Sequence, residues 1–377
     1  MKNLKLIIFF LCYAILLADT TLRHVDMISG VTHALLNYIA MPLLVLLIID
    51  NLNGLSFKRA MLVIGVIAIG ICTRIISNDN TIMMATLFIC AFKDIDLDSL
   101  IKFSVSLRIV LLITLLALFY LGFAGAATYM REDGVLRYAY GFSNLNGLST
   151  YILSTILQIL YLGRKNIRVR HALLVIAGII VIFITTGSRT QSLILLATLV
   201  YVVISIFKKR GANERLGIRN RCLRFFIMHS FTIMALLAIV AYVAYANNNE
   251  LARTINVWTS GRISSAKTLI DANGIALFGQ EVDRLAVNGV NRVLDSGYAY
   301  LMLYYGPIVM IALAFAYKKV FASMFSKKED ESTVFLTIYN IIGLVERFAF
   351  EISPNPFLLQ FSSLLYPTTT KNEEKVD

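Results

Sequence analysis

Arginine dominates the basic residues on one side of the membrane topology that the chain predicts. Of the nine basic residues in the predicted outer segments, eight are arginines and one is Lys267. A guanidinium group donates two parallel hydrogen bonds to phosphate oxygens, whereas a lysine ammonium acts as a point charge. The bias predicts a phosphate-bearing ligand, with chance and ordinary surface pairing as the alternative explanation. The eight are Arg23, Arg131, Arg137, Arg189, Arg253, Arg262, Arg284 and Arg292.

Three short polar segments fall at or near the predicted outer ends of apolar stretches. In residues 141–148, Asn144 and Asn146 can cap the following helix, whose N-terminus attracts anions. In residues 186–190, Arg189 stands between two apolar stretches, and a charge at the membrane centre costs about 2.5–3.5 kcal/mol. It is expected to face a cavity or a counter-ion, or to reach the outer headgroups. The third segment is WTSGR at 258–262, followed by FGQE at 278–281 and DSGY at 295–298.

Metal and nucleotide motifs are weak or lacking in the sequence. Residues 94–98 have the D-x-D spacing of metal-assisted enzymes that use nucleotide sugars, but they fall in a short predicted loop. We interpret this run as a polar loop with a helix cap. No P-loop or G-x-S-x-G motif occurs, and the four cysteines lack disulfide or zinc spacing. We therefore expect no metal and no cofactor.

The composition predicts a membrane protein. Of the 377 residues, 58% are hydrophobic and 15% are charged, and the mean hydropathy is +0.73. Soluble domains carry about 25% charged residues. The apolar runs lack the alternation of barrel strands, so they predict one all-α polytopic membrane domain, residues 1–377, with about twelve transmembrane helices. The predicted spans are residues 4–22, 28–49, 60–77, 80–92, 103–123, 147–162, 172–187, 190–207, 225–246, 297–317, 333–351 and 355–366.

Lysine and arginine set the predicted orientation. Most of the 35 basic residues fall in alternate loops, which places those loops and both termini in the cytoplasm. This topology explains the net charge of +12, so no nucleic-acid partner is expected. A large outer loop, residues 247–296, follows the ninth span, and a cytoplasmic tail covers residues 367–377. The loop has equal numbers of basic and acidic residues, so an anion site there must depend on particular arginines.

The order of the polar segments resembles the Wzy family of polysaccharide repeat-unit polymerases, which are related to the O-antigen ligases. An N-x-N-G segment at 144–147 precedes T-G-S-R-T at 186–190. The outer loop then carries S-G-R, F-G-Q and D-S-G-Y, and leads into L-Y-Y-G-P at 303–307. The resemblance covers residues 130–365. The chain departs from the family by lacking a proline between the two asparagines. It also lacks the loop histidine of the ligases, and Asp295 lies near the equivalent place.

The resemblance implies a GT-C-like helical bundle in the bacterial cytoplasmic membrane, with its reaction on the outer face. It would join repeat units carried on undecaprenyl pyrophosphate into capsule, exopolysaccharide or O-antigen. A sugar hydroxyl would attack the reducing-end carbon of the other chain, and Arg189 and Arg262 would neutralise the departing pyrophosphate. Asp295, or else Glu281, would accept the proton. The predicted substrate-binding residues are Arg131, Asn146, Arg253, Arg284, Arg292 and Tyr298.

The implied partners are the lipid-linked oligosaccharide, membrane lipid, a chain-length regulator and a flippase. Two alternatives are a ligase that transfers finished glycan to another acceptor, and a flippase or other transporter of lipid-linked oligosaccharide. Transporters usually show internal repeats, and the halves of this chain show none. Glu346 and Arg347 are adjacent within the eleventh predicted span, and we interpret them as a structural ion pair outside the predicted site.

Overall fold

Helices account for almost all of the regular structure in this computed structural model, which describes residues 2–23, 25–125, 128–130, 136–142, 146–211, 220–285 and 294–366. A π-helix, Leu36–Ala40, joins α2 to α3, and β1 (Thr128–Met130) pairs antiparallel with β2 (Leu136–Tyr138). Turns of 3-10 helix occupy Arg164–Asn166, Arg347–Phe350 and Pro356–Phe361. The α-helices of the described residues are α1 (Lys2–Leu22), α2 (Asp26–Leu35), α3 (Met41–Leu52), α4 (Phe57–Ser77), α5 (Thr81–Ala91), α6 (Leu97–Tyr120), α7 (Gly147–Leu162), α8 (Val169–Thr186), α9 (Arg189–Gly211), α10 (Arg221–Met228), α11 (Ser230–Ala246), α12 (Glu250–Trp258), α13 (Arg262–Asn273), α14 (Gly297–Ser326), α15 (Asp330–Ile342) and α16 (Ser362–Leu365).

Seven helical stretches in these residues are long and apolar enough to cross a membrane. The helix pair α10 and α11, bent by 68° at its junction, is a further candidate. The chain is therefore a multi-pass helical membrane protein, as its composition predicts. The seven stretches are Asn3–Leu22, Ile28–Leu52, Phe57–Ser77, Leu97–Tyr120, Val169–Thr186, Arg189–Phe207 and Gly297–Ser326.

The other four predicted spans coincide with shorter helices, so the predicted total of twelve is not established. Helices α5, α7 and α15 have 11, 16 and 13 residues, and the fourth stretch is Pro356–Leu365. A straight crossing needs about 20 residues. More than half of the residues in α5, α7 and α15 are buried. Contacts with neighbouring helices therefore stabilise them more than lipid does.

Two local predictions from turn chemistry are confirmed, and one is wrong. Gly187 ends α8 with a φ of 58° and separates it from α9, as predicted. Asp96 caps α6 by accepting the Ser99 backbone N–H at 2.8 Å, as the polar-loop interpretation requires. Asn146 occupies the cap position of α7 but has helical backbone angles, and its side chain makes no capping bond. Asn144 lies outside the described residues.

The predicted eleventh span is wrong in its limits. Helix α15 ends at Ile342, nine residues before the predicted end at 351. The Gly343 carbonyl instead accepts the backbone N–H groups of Gly297 (2.8 Å) and Tyr298 (3.3 Å) at the start of α14. This contact between distant segments fixes where the helix ends, ahead of the charges and prolines that interrupt the apolar sequence.

The described part of the outer loop packs against the bundle. It contains α12 and α13, and α13 contacts both α11 and α14. Helix α14 is kinked at Gly306, where φ is 79°, and at the following Pro307. Residues 276–280 pack against this kink. The Ile308 N–H donates to the Leu277 carbonyl (3.4 Å), outside its own helix.

A close approach between backbones fixes this docked loop. The Gln280 N–H donates to the Tyr304 carbonyl at 3.2 Å, a carbonyl that the kink leaves without its helical partner. A Cβ atom at Gly279 would lie 2.2 Å from the same carbonyl oxygen, and the φ of Gly279 is 87°. Only glycine permits both the positive φ and the contact.

We predict that Gly279→Ala lowers the melting temperature of the detergent-solubilised protein far more than Gly54→Ala does. Gly54 has a similar φ of 81° but open space around it, so it reports strain alone. That strain costs about 1–2 kcal/mol. The added clash at Gly279 displaces the loop from α14. Equal melting temperatures for the two variants, measured by thermal unfolding, would contradict this account.

Candidate functional site

A cavity of about 810 Å³ opens where the predicted outer ends of several helices meet. Its wall includes the end of α1, the turn between α4 and α5, the start of α7 and the irregular segment after α15. Irregular backbone at membrane depth is tolerated only where it is buried in protein or lines a cavity. The charged and titratable side chains in the wall are Asp19, Arg23, His33, Asp79, Arg108, Asp295, Glu346, Arg347 and Glu351.

A buried ion cluster around Arg262 forms one wall of the cavity. Arg262 begins α13 and is only 6% exposed. Its Nη2 donates to Glu346 Oε1 at 2.6 Å, and its Nη1 lies 3.1 Å from Asp295 Oδ2. Nη1 also donates to the Val345 carbonyl. Arg262 thus joins the outer loop to the segments before α14 and after α15, and both of its carboxylate partners line the cavity.

A hydrogen-bonded chain extends from this cluster to the segments that the sequence singled out. Gln191 Nε2 donates to Glu346 Oε1 at 2.6 Å, and Ser188 Oγ donates to Gln191 Oε1. Ser188 Oγ also lies 3.5 Å from Asn146 Oδ1. The chain connects residues of N-x-N-G, T-G-S-R-T, S-G-R and D-S-G-Y. The fold therefore brings side chains of these motifs to one place. The T-G-S-R-T segment contributes Ser188 to this chain, and not the predicted Arg189.

Glu346 lies outside the helices long enough to cross the membrane, in an extended conformation. Burial raises the pKa of Glu346 to about 7. The Arg262 guanidinium opposes this shift, and the nearby charge of Asp295 adds to it. A group with this pKa can accept or give a proton at neutral pH.

Arg108, on α6, is the other buried arginine of the site, and its surroundings differ from those of Arg262. It is 1% exposed and lines the cavity. One Nη donates to the Ser353 carbonyl, and the guanidinium lies 4.9 Å from the centre of the Tyr151 ring. Its Nε has no hydrogen-bond partner, and no carboxylate of the described residues forms an ion pair with it. A buried cation of this kind has free capacity for an anion.

The remaining charges of the wall have partners. Arg23 pairs with Asp19 at 3.0 Å, and Arg347 Nε lies 3.7 Å from Glu351. The paired-charge interpretation of Glu346 with Arg347 is therefore wrong, because each side chain pairs elsewhere. The cation that pairs with Glu346 comes from α13.

Asp79 is held as a carboxylate between α4 and α5. Burial alone would raise its pKa, but hydrogen bonds from tyrosine, threonine and backbone donors hold the pKa below its usual range. Tyr305 Oη donates to Asp79 Oδ1 at 2.5 Å, and the Thr81 N–H donates at 2.8 Å. Asp79 therefore adds a fixed negative charge and hydrogen-bond acceptors to the wall, which suit sugar hydroxyl groups.

Most of the other predicted site residues lie away from the cavity. Arg189 is exposed at the start of α9. Glu281 accepts a hydrogen bond from Asn78, and Arg253 donates to Asn248, both at the surface. Arg284 donates to the Tyr304 hydroxyl group at 2.8 Å.

Tyr298, another predicted binding residue, belongs to the interior. It is 1% exposed and donates to the Asn340 carbonyl at 2.9 Å, so its role here is packing. Arg131 and Arg292 lie outside the described residues. Of the ten predicted site residues, the structure places Asn146 and Asp295 in the cavity wall. Arg262 and Glu281 lie beside it, each bonded to residues that line it.

Sequence reasoning missed Arg108, Glu346 and Arg347. Arg108 is the one charge within the predicted fifth span, and charges in such spans commonly face a cavity. Glu346, Arg347 and Glu351 interrupt an apolar stretch just before two prolines, which is a signal for irregular backbone. Their spacing alone gave no indication of which partners they would find.

Comparisons of the chain with protein-family models, with curated proteins and with solved structures found no match. The fold and site define a polytopic helical membrane protein with a charged cavity. The case for its function therefore depends on the geometry of that cavity.

We predict that Arg262→Ala destabilises the protein strongly, whereas Lys267→Ala on the same helix leaves its melting temperature unchanged. Removing Arg262 leaves Glu346 buried without a cation, and breaking such a pair costs about 3–5 kcal/mol. Lys267 pairs with Asp271 at the surface, where solvent screens the charges. Thermal unfolding in detergent measures both effects. Similar curves for the two variants would contradict the stabilising role of the buried Arg262–Glu346 pair.

Proposed function

We propose that this protein polymerises oligosaccharide repeat units carried on a polyprenyl diphosphate, undecaprenyl pyrophosphate in bacteria. The observation that carries the proposal is the pairing of two features in one cavity. Arg108 offers a buried cation without a carboxylate partner among the described residues, and Glu346, whose pKa is raised to about 7, lies beside Asp295 in the same wall. Transfer from a diphosphate donor needs both, one for the leaving group and one for the proton.

Arg108 is the residue that we propose neutralises the leaving diphosphate. Charge grows on the diphosphate oxygen as its bond to the sugar breaks, and a preorganised buried cation stabilises that charge. Arg347 lines the same cavity, and its ion pair with Glu351 is loose at 3.7 Å. Arg347 can therefore help to neutralise the diphosphate without first breaking a tight ion pair. Arg189 and Arg262 are not assigned this role, because one is exposed and the other is already neutralised.

The Glu346–Asp295 pair is the proposed proton acceptor. The attacking hydroxyl oxygen forms the new glycosidic bond to the anomeric carbon, and the bond from that carbon to the diphosphate oxygen breaks. The hydroxyl proton passes to the carboxylate pair, and the polyprenyl diphosphate leaves with the bonding electrons. Asn146, Asp79 and Tyr151 supply polar groups in the wall that suit sugar hydroxyls.

The proposal includes the orientation that the basic loops favour. Both termini lie in the cytoplasm of a bacterial cell, and the cavity faces outward, where no nucleotide is available and the lipid diphosphate itself supplies the driving force. The four shorter helices then complete a bundle of twelve. A chain-length regulator and a flippase are the proposed partners of such an enzyme.

Reconstitution tests the proposed function directly. The full chain in liposomes, supplied with a purified polyprenyl-diphosphate-linked repeat unit, is expected to give a ladder of longer lipid-linked glycans. Transfer of glycan only to an acceptor without the lipid would instead indicate a ligase. Movement of the intact substrate across the bilayer without elongation would indicate a transporter. Either result would overturn the proposal.

We predict that Arg108→Met abolishes polymerisation yet raises the melting temperature of the substrate-free protein. The loss should reach about 100- to 1,000-fold in kcat, the usual effect of removing one electrostatic donor. Stability should rise because an unpaired buried cation is replaced by an apolar side chain of similar length. Inorganic pyrophosphate should stabilise the native protein and not the variant.

Arg170→Ala, at an exposed arginine near the start of α8, is the matched control and should change neither property. Full activity of Arg108→Met would remove Arg108 from the mechanism. A large fall in its melting temperature would show that the arginine is structural.

We predict that kcat/KM rises with pH and levels off above about pH 7, since the acceptor must be ionised and the pKa of Glu346 is about 7. In Gln191→Leu the rising limb should move to higher pH. In the native protein, the hydrogen bond from Gln191 favours the charged carboxylate and lowers the pKa of Glu346. The variant removes this bond, so the pKa should rise. Rates of the two proteins across pH 5 to 9 measure the midpoint. A shift toward lower pH, or no shift, would exclude Glu346 as the titrating group.

A further inference from the structure

A shallow apolar groove lies on the outer surface of α2 and the π-helix that follows it. The groove has a volume of about 360 Å³ and is lined by Gly30, Val31, Ala34, Leu35, Tyr38 and Ile39. Val31 is 59% exposed and Tyr38 is 81% exposed. The stretch Ile28–Leu52 is one of those able to cross a membrane. Its exposed apolar face therefore meets lipid chains.

Helix α2 separates this groove from the charged cavity. Ser29, His33 and Leu36 face the cavity, and Val31, Ala34 and Leu35 face the groove. Gly30 borders both spaces. A Cβ atom at Gly30 would meet nothing within 4 Å. The wall between the polar cavity and the apolar surface is therefore thinnest in side chains at Gly30, the one glycine of α2.

We infer that the groove binds the polyprenyl chain of the lipid-diphosphate substrate, which leaves the cavity past Gly30. This inference rests on the proposed function and adds to it the path of the lipid. The diphosphate must reach Arg108 in a cavity lined by charges, where an apolar chain is unfavourable. The chain must therefore return to the membrane, and an apolar surface beside the opening at Gly30 receives it. The groove itself is lined by no charged residue.

The unusual backbone of this helix supports the same path. A π-helix has a wider turn than an α-helix and commonly occurs at functional sites. Here it spans Leu36–Ala40, and two of its residues, Tyr38 and Ile39, lie in the groove. Leu36, in the same turn, lines the cavity. The π-helix thus bears side chains on both sides of the wall, directly after the helix that holds Gly30.

Blocking the opening tests the path. Gly30→Leu should raise the KM for a substrate with a long polyprenyl chain by about tenfold or more. Its kcat should stay close to the native value, and the KM for a substrate with a two-isoprene chain should change little. Leucine favours helix over glycine, and the open space at Gly30 means that the variant should fold. Gly65→Leu, at an exposed glycine of α4 that also has open space, is the matched control.

A binding experiment separates this inference from the proposed function. A photoactivatable polyprenyl diphosphate without sugar should label Val31 and Tyr38 in the full chain in liposomes. Unlabelled polyprenyl diphosphate should compete with this labelling, and excess phosphatidylglycerol should not. This labelling would support the groove even if no polymer formed. Three results would contradict the proposed lipid path and leave the proposed function standing. They are labelling at other residues, equal competition by phospholipid, and an unchanged KM in an active Gly30→Leu variant.

Discussion

The burial of the Arg262 guanidinium is the constraint on which the structure around the cavity depends. A cation at 6% exposure is costly unless carboxylates neutralise it. Its partners, Glu346 and Asp295, come from segments that α14 and α15 separate. To reach α13, the chain after α15 must leave the helical path early, and Glu346 adopts extended backbone angles there. The ion cluster, the early end of α15 and the irregular wall of the cavity are therefore one arrangement.

The two buried arginines, Arg262 and Arg108, have different partners and so different roles in the site. Arg262 has two carboxylates and a carbonyl around it, so its charge holds the protein together and is no longer free for a ligand. Arg108 has a carbonyl and an aromatic ring as neighbours and forms no ion pair with a carboxylate of the described residues, although the Nε of each arginine lacks a hydrogen-bond partner. An uncompensated cation destabilises an empty site, and proteins keep such strain where binding relieves it. This difference in partners, and not the number of arginines, is what favours Arg108 as the anion site.

The sequence predicts the class of fold and the grouping of the motifs better than it predicts individual side chains. Gly187 and Asp96 act through local turn chemistry, so their roles could be read directly. The structure brings Asn146, Ser188 and Asp295 toward Arg262. The sequence could not show that Ser188 faces inward while the adjacent Arg189 faces outward, because a turn between helices gives no periodicity to decide. The charges and prolines after α15 indicate irregular backbone, but the exact end of α15 and the partners of Glu346 depend on contacts between distant segments.

The balance of charge around the cavity fits a ligand with two chemically different ends. Asp79 and the Glu346–Asp295 pair present acceptors that repel a free phosphate but can bind sugar hydroxyls. Arg108 presents donors that form no ion pair with a carboxylate of the described residues, so a diphosphate is favoured beside it. A molecule that carries sugar at one end and diphosphate at the other satisfies both sides in one orientation. A free anion or a neutral glycan would satisfy only one side. The charges of the cavity therefore fit a molecule in which sugar and diphosphate are joined, and the proposed reaction breaks that bond.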